Sequence, residues 1–248
     1  MSDAVIELKG VSKSYGGVIA NRDISLTVAR GRITGLIGPN GSGKTTLFNS
    51  IVGYHPIDSG SIRFEGQEIS RMSVQEIARL GMLRTFQTTR IYGKMSCLQN
   101  MLISIPHRKA TFFDMFAHGR REEIERSEHL LAFVGLFEKR FLRAGSLSFG
   151  QQKLLEFAMA LMNEPNVLLL DEPTAGINPT LINGLIDRLK RANTEFGITL
   201  FIIEHNMRAI MNMASTIYCL AHGELLATGD PAAIQGDQRV IDAYLGAH

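Results

Sequence analysis

The chain has 248 residues, 45% of them apolar and 20% charged, enough for one large domain with a lobe and a sizeable core. Its formal net charge of +2 gives no reason to invoke nucleic acid as a partner. No apolar stretch approaches the ~20 residues needed to span a bilayer, and the start Met1-Ser2-Asp3-Ala4-Val5-Ile6-Glu7 lacks a signal peptide's basic and apolar regions, so membrane association is expected to come through a partner.

From the N-terminus to about Arg30, apolar and polar residues alternate, as in Val5-Ile6-Glu7-Leu8 and Ile24-Ser25-Leu26-Thr27-Val28, which predicts antiparallel strands. Ile33-Thr34-Gly35-Leu36-Ile37 reads as a buried strand, and a helical pattern starts at Lys44-Thr45-Thr46. Between them, Gly38-Pro39-Asn40-Gly41-Ser42-Gly43 makes a strand-to-helix turn. There the backbone can curl around an anion with its N–H groups inward, and Gly38, Gly41 and Gly43 leave no side chain in the way of a pyrophosphate. Lys44 is expected to reach the β- and γ-phosphates, and the Thr45 hydroxyl to ligate magnesium.

A strand around Ser61 to Glu65 and a helix from Ser73 to about Leu80 follow, and the pattern from Thr88 to about Gly145 is mostly helical. Within it, Glu122 to Val134 carries Ile124, Leu130, Leu131 and Val134 on one side, and Arg120-Arg121-Glu122-Glu123 reads as a solvated helix face. Leu147-Ser148-Phe149-Gly150-Gln151 opens another helix, whose N–H groups near Ser148 suit a phosphate. Asn166-Val167-Leu168-Leu169-Leu170-Asp171-Glu172-Pro173 is a continuous apolar run ending in two carboxylates, as in a strand buried on both faces of a parallel sheet. Asp171 is placed to support magnesium, directly or through water, and Glu172 to polarise an attacking water.

A further strand, Thr199 to Ile203, ends in Glu204-His205-Asn206, where His205 can sense a third phosphate. A helix, a hairpin around His222-Gly223 and a short C-terminal helix complete the reading, with no internal repeat. Cys97 and Cys219 are far apart and lack metal-ligand spacing, which fits buried thiols in a reducing compartment; the eleven Met residues fit core filler.

Taken together, these segments resemble the ATP-binding cassette ATPases over nearly the whole chain. The resemblance implies an α/β fold: a P-loop NTPase (RecA-like) core with an N-terminal antiparallel β subdomain and an inserted α-helical subdomain. A single ATPase domain over residues 1–248 is expected, with residues 1–87 and about 147–248 forming the core and about 88–146 the helical subdomain. The resemblance also implies ATP and Mg2+ as cofactors. Tyr15 matches the aromatic that stacks on adenine, the run from Gly38 through Thr46 matches the phosphate loop, and Gln87 matches the hinge glutamine that reaches magnesium. Ser148, Gly150 and Gln151 lie in the family signature, which caps the γ-phosphate of ATP held by the opposite subunit. Glu172 corresponds to the catalytic base and His205 to the switch histidine, with Lys44 as the third catalytic group. Phe149 stands where the signature more often has Gly, and Asn178 where an Asp commonly bridges the two subunits.

Finer likeness, in Thr85 to Tyr92, the insert from about Pro106 to Arg126, Ala175-Gly176-Ile177-Asn178-Pro179, Glu204 to Met207 and Val240 to Gly246, is to ATPase subunits of importers for branched-chain amino acids. That family also serves urea, short amides and some aromatic acids. The implied partners are transmembrane subunits, a second ATPase subunit as homo- or heterodimer and, indirectly, a periplasmic or extracellular solute-binding protein, at the cytoplasmic side of the inner membrane. Related ATPases of nucleic-acid repair or maintenance form the alternative class. They usually carry coiled-coil or zinc insertions, and this insert has neither heptads nor Cys pairs.

Overall fold

The computed structural model describes residues 3–85, 91–105 and 118–245, with backbone only for 118–120. Two long strands open the chain, β1 (Ala4–Tyr15) and β2 (Val18–Ala29), followed by β3 (Ile33–Ile37), α1 (Lys44–Ile51), β4 (Ser59–Phe64), β5 (Gln67–Glu68), α2 (Val74–Arg79) and β6 (Met82–Arg84). Three helices come next, α3 (Cys97–Ile103), α4 (His118–Phe133) and α5 (Phe149–Leu161). Then follow β7 (Val167–Asp171), α6 (Pro179–Glu195), β8 (Thr199–Ile203), α7 (Met207–Met213), β9 (Thr216–Ala221), β10 (Glu224–Gly229), α8 (Pro231–Gly236) and α9 (Gln238–Leu245).

The chain divides into two compact units. The first comprises Met1–Arg84, Asn166–Thr174 and Leu189–His248, and holds both sheets. One sheet is antiparallel in the order β2-β1-β4-β5, and the other runs β10-β9-β3-β8-β7-β6. In the second, β9, β3, β8, β7 and β6 are mutually parallel and β10 pairs antiparallel at the edge. The sequence accounts for the difference. β3, β7 and β8 are buried at every position, as continuous apolar runs require, whereas β2 alternates buried Ile24, Leu26 and Val28 with exposed neighbours. Their apolar faces meet the helix α1, with Leu47, Phe48 and Phe64 fully or almost fully buried and the Phe48 ring 4.8 Å from that of Phe201. Burial of side chains of this size contributes roughly 1.5–3 kcal/mol each.

Helix ends follow local chemistry. Ser73 and Glu76 form a reciprocal capping box at α2, and the β9–β10 hairpin turns through His222 and Gly223, both at positive φ, the geometry a two-residue turn between twisted strands demands.

The second unit, Thr85–Pro165 and Ala175–Arg188, is helical. Helices α3, α4 and α5 pack on one another through buried Cys97, Met101, Leu130, Leu131, Val134, Leu155 and Ala158. The first turns of α6 belong to it too, where Arg188 donates to the Val134 carbonyl at 3.0 Å. No helix among the described residues is long and apolar enough to cross a membrane.

Candidate active site

In the first unit the carboxyl ends of three neighbouring strands, β3, β8 and β7, carry the phosphate loop, His205 and the Asp171-Glu172 pair. Asn40 and Gly41 at the loop's crown are exposed, while Gly38, Ser42 and Lys44 are buried. Gly38 has φ +147°, and a Cβ there would lie 2.1 Å from the Leu220 carbonyl oxygen. At Gly43, with φ +97°, it would lie 2.3 Å from the Ala20 carbonyl oxygen. The expectation that these glycines spare a pyrophosphate is therefore incomplete, because the chain's own strands β9 and β2 already exclude a side chain. A Cβ added at Gly41 would meet no atom within 4 Å beyond its chain neighbours, which agrees with an open cradle.

Helix α1 begins at Gly43 with no side-chain cap, so its first N–H groups have no capping oxygen from a side chain. The Lys44 ammonium is folded into the loop, donating to the carbonyl oxygens of Gly38 and Pro39 at 2.8 Å each and to Ser42 Oγ at 3.3 Å. Burial pushes its pKa down, opposed by the negative charge of Glu172 and Asp171. A buried cation beside uncapped N–H groups is a receptor for phosphate.

Asp171 is 3% exposed in its side chain, and its Oδ2 accepts from Arg84 Nη2 at 2.6 Å; Arg84 Nη1 also donates to Asn49 Oδ1 of α1. Among the described residues no group of three or more His, Cys, Asp and Glu could hold a metal. Of the residues expected to hold magnesium, Asp171 offers one carboxylate and Thr45, exposed at the start of α1, one hydroxyl. This fits magnesium, which binds through one or two carboxylates together with substrate phosphates and water rather than in an all-protein cage.

Glu172 has φ +50°, a left-handed conformation rare outside glycine, and this turn separates its side chain from that of Asp171 one residue earlier. Its N–H donates to the Ile203 carbonyl at 2.9 Å, and its Oε1 lies 2.7 Å from His205 Nε2. The carboxylate and the imidazole thus meet across the ends of β7 and β8.

Tyr15, at the end of β1, is 44% exposed, with the His55 ring edge-on at 5.7 Å and Lys13 Nζ at 5.3 Å from its centroid. In the second unit, Ser148 caps α5: its Oγ accepts from Gln151 N–H, and the Gln151 side chain accepts from Ser148 N–H at 3.2 Å. Phe149 lies over Gly176, whose added Cβ would stand 2.8 Å from the ring. Gln87 and residues 106–117 of the insert lie outside the described residues.

Four residues at the site have roles that the sequence alone does not reveal. Arg84 holds Asp171 from a strand of only three residues. Asn21 of β2 donates to the Gly43 carbonyl at 3.2 Å. The buried Glu204 joins two loops. From α9, the Tyr244 hydroxyl accepts from the Gly38 N–H at 2.8 Å, and burial pushes its pKa up to about 12. Cys97 and Cys219 are buried thiols; burial raises both, Cys219 to about 11.

Comparison with known proteins decides the family. The ABC transporter family model matches residues 21–175. The chain belongs to the ABC transporter family. A second model, for the branched-chain amino acid ATP-binding cassette transporter, matches residues 224–248 of this ABC chain. The high-affinity branched-chain amino acid transport ATP-binding protein BraF of Pseudomonas aeruginosa is 36% identical, with 99% of each chain covered. The corresponding protein LivG of Salmonella typhimurium is 33% identical, again over 99% of each. Among solved structures, the ADP conformation of an ATP-binding cassette of an ABC transporter superposes with a TM-score of 0.87 at 32% identity, covering 98% of this chain and 99% of that one. The fold is the P-loop NTPase fold of ABC cassettes, and the chain is an ATP-binding ATPase.

Proposed function

We propose that this ABC ATPase powers an importer of branched-chain amino acids or a related small solute such as urea, an amide or an aromatic acid. The observation that carries the reading is end-to-end similarity to transport ATP-binding proteins of that class, together with the C-terminal match at residues 224–248. The chain is taken to sit at the cytoplasmic side of the inner membrane, bound to transmembrane subunits that a solute-binding protein supplies from outside. Its core by role is taken as residues 1–87 and about 147–248 and its helical subdomain as about 88–146, although the compact units group Ser148 and α5 with the helical residues.

In this reading Tyr15 offers a face for adenine, and residues 38–46 wrap the phosphates. Lys44 exchanges its carbonyl partners for phosphate oxygens, a stronger, charge-assisted set of bonds. Thr45, Asp171 and Gln87 would hold magnesium, which when bound would neutralise charge on the phosphates. Glu172 orients and polarises the attacking water. His205, hydrogen-bonded to Glu172, keeps that carboxylate aimed and reports on the third phosphate. Ser148, Gly150 and Gln151 complete the site of a second ATPase subunit, so that ATP closes the pair and hydrolysis releases it.

The test is uptake in proteoliposomes containing this chain, its membrane subunits and its binding protein. ATP-dependent accumulation of leucine, isoleucine or valine, lost on omitting this chain, is expected. Vesicles that hydrolyse ATP yet accumulate none of the branched-chain amino acids, urea, amides or aromatic acids would refute the solute class.

A further inference from the structure

The parallel ladder between β7 and β8 ends with Glu172 N–H donating to Ile203. Beyond that rung the two chains diverge, one into Pro173-Thr174 and the other into Glu204-His205-Asn206, and strand pairing no longer sets their spacing. Glu204 takes over. Its side chain is buried, 2% exposed; one carboxylate oxygen accepts from Thr174 N–H at 2.9 Å and the other from Asn206 N–H at 3.0 Å. Its own N–H points to Leu36 O, on the strand that leads into the phosphate loop, at 3.4 Å. Hydrogen bonds to an ionised acceptor are shorter and roughly twice as strong as neutral ones, and a buried N–H left without an acceptor is costly.

We propose that Glu204 is a positioning residue that clamps the loops carrying Glu172 and His205 in register. Thr174 lies two residues after Glu172, and His205 lies between the clamp and its second anchor, Asn206. Fixing both N–H groups to one carboxylate fixes the 2.7 Å approach of Glu172 to His205. Asn206 is also the N-cap of α7, its side chain accepting from Ala209, so the clamp sets where that helix starts. A neutral residue cannot reproduce this: Gln offers one acceptor oxygen, and its NH2 group would face an N–H donor. The inference rests on the reading of Glu172 as base and His205 as its partner.

The experiment is Glu204→Gln in the assembled transporter, alone and combined with Glu172→Gln. A displaced base lowers turnover while the phosphate loop is untouched, so kcat should fall on the order of 10-fold or more, with ATP affinity within about 3-fold. Residues acting as one unit are non-additive, so Glu204→Gln should cost less than about 3-fold when Glu172 is already Gln. An equal loss in both backgrounds, or affinity falling in parallel with kcat, would overturn the clamp. Normal turnover in Glu172→Gln alone would sink the reading of Glu172 instead. The cycle is then closed on His205→Ala, where the same non-additivity is required. A measurement on the unaltered full chain guards against a variant that does not fold: by NMR the amide protons of Thr174 and Asn206 should exchange slowly, and fast exchange at either would refute the clamp.

Discussion

At Glu172, a single φ of +50° gives adjacent carboxylates separate surroundings: Asp171 against Arg84, Glu172 against His205. Two acids one residue apart can thereby do different work, one held by a fixed cation and one hydrogen-bonded to an imidazole. Glu172→Gln should keep ATP binding and lower turnover by on the order of 10²-fold or more, the usual contribution of a positioned base, and should accumulate an ATP-bound closed dimer. Nucleotide affinity, single-turnover hydrolysis and size-exclusion chromatography with ATP would measure this; turnover within a few-fold of the parent would remove Glu172 from that role. The acid pair could be read in the sequence because an apolar run ending in two carboxylates is written in consecutive residues. Arg84 and Glu204 could not, since each acts on a residue dozens of positions away, and a charge at the end of a short strand looks like any solvated strand end.

Elements with a strong period or a defined turn were legible in the sequence: the buried strands β3, β7 and β8, the capped helix α2, and the β9–β10 hairpin. Those missed have physical reasons. β6 is three residues long and exists because β7 pairs with it, and α6 starts through Asn183 and Gly184, weak helix formers that tertiary packing overrides. The C-terminal helical segment is two helices, α8 and α9, with Asp230 capping the first. Helix α9 has a further task, since Tyr244 ties it to the first N–H of the phosphate loop. Tyr244→Phe removes the acceptor and leaves Gly38 N–H unpaired, so ATP affinity should weaken about 3- to 10-fold, the worth of one net hydrogen bond. The pH dependence has a definite sign. The folded-state pKa is raised to about 12 from 10, so the stability that the phenol contributes is full below pH 10 and lost as pH rises through about 12. The melting-temperature gap between wild type and Tyr244→Phe should therefore narrow across that interval, and a constant gap would mean that the phenol does not titrate there.

At the scale of the whole molecule, the chemistry is divided between units. The phosphate loop, Asp171, Glu172 and His205 lie in the first, and Ser148, Gly150 and Gln151 in the second. If the second unit serves ATP held by another subunit, the two sets must fail differently when broken. Lys44→Ala removes the buried ammonium from the loop and should abolish ATP binding in its own subunit. Ser148→Arg places a long cation at an exposed helix start of the second unit and leaves the residues of the phosphate loop unchanged, so the isolated subunit should bind ATP with nearly unchanged affinity. In that variant the closed dimer should not form and turnover in the assembled transporter should collapse, because the arginine occupies the face offered to the neighbour's phosphate. Equilibrium binding of a fluorescent ATP analogue to separate monomers, followed by chromatography of the ATP-loaded protein, resolves the two steps. Should Ser148→Arg weaken binding by the monomer as much as Lys44→Ala does, Ser148 acts on its own subunit's nucleotide and the composite site is wrong.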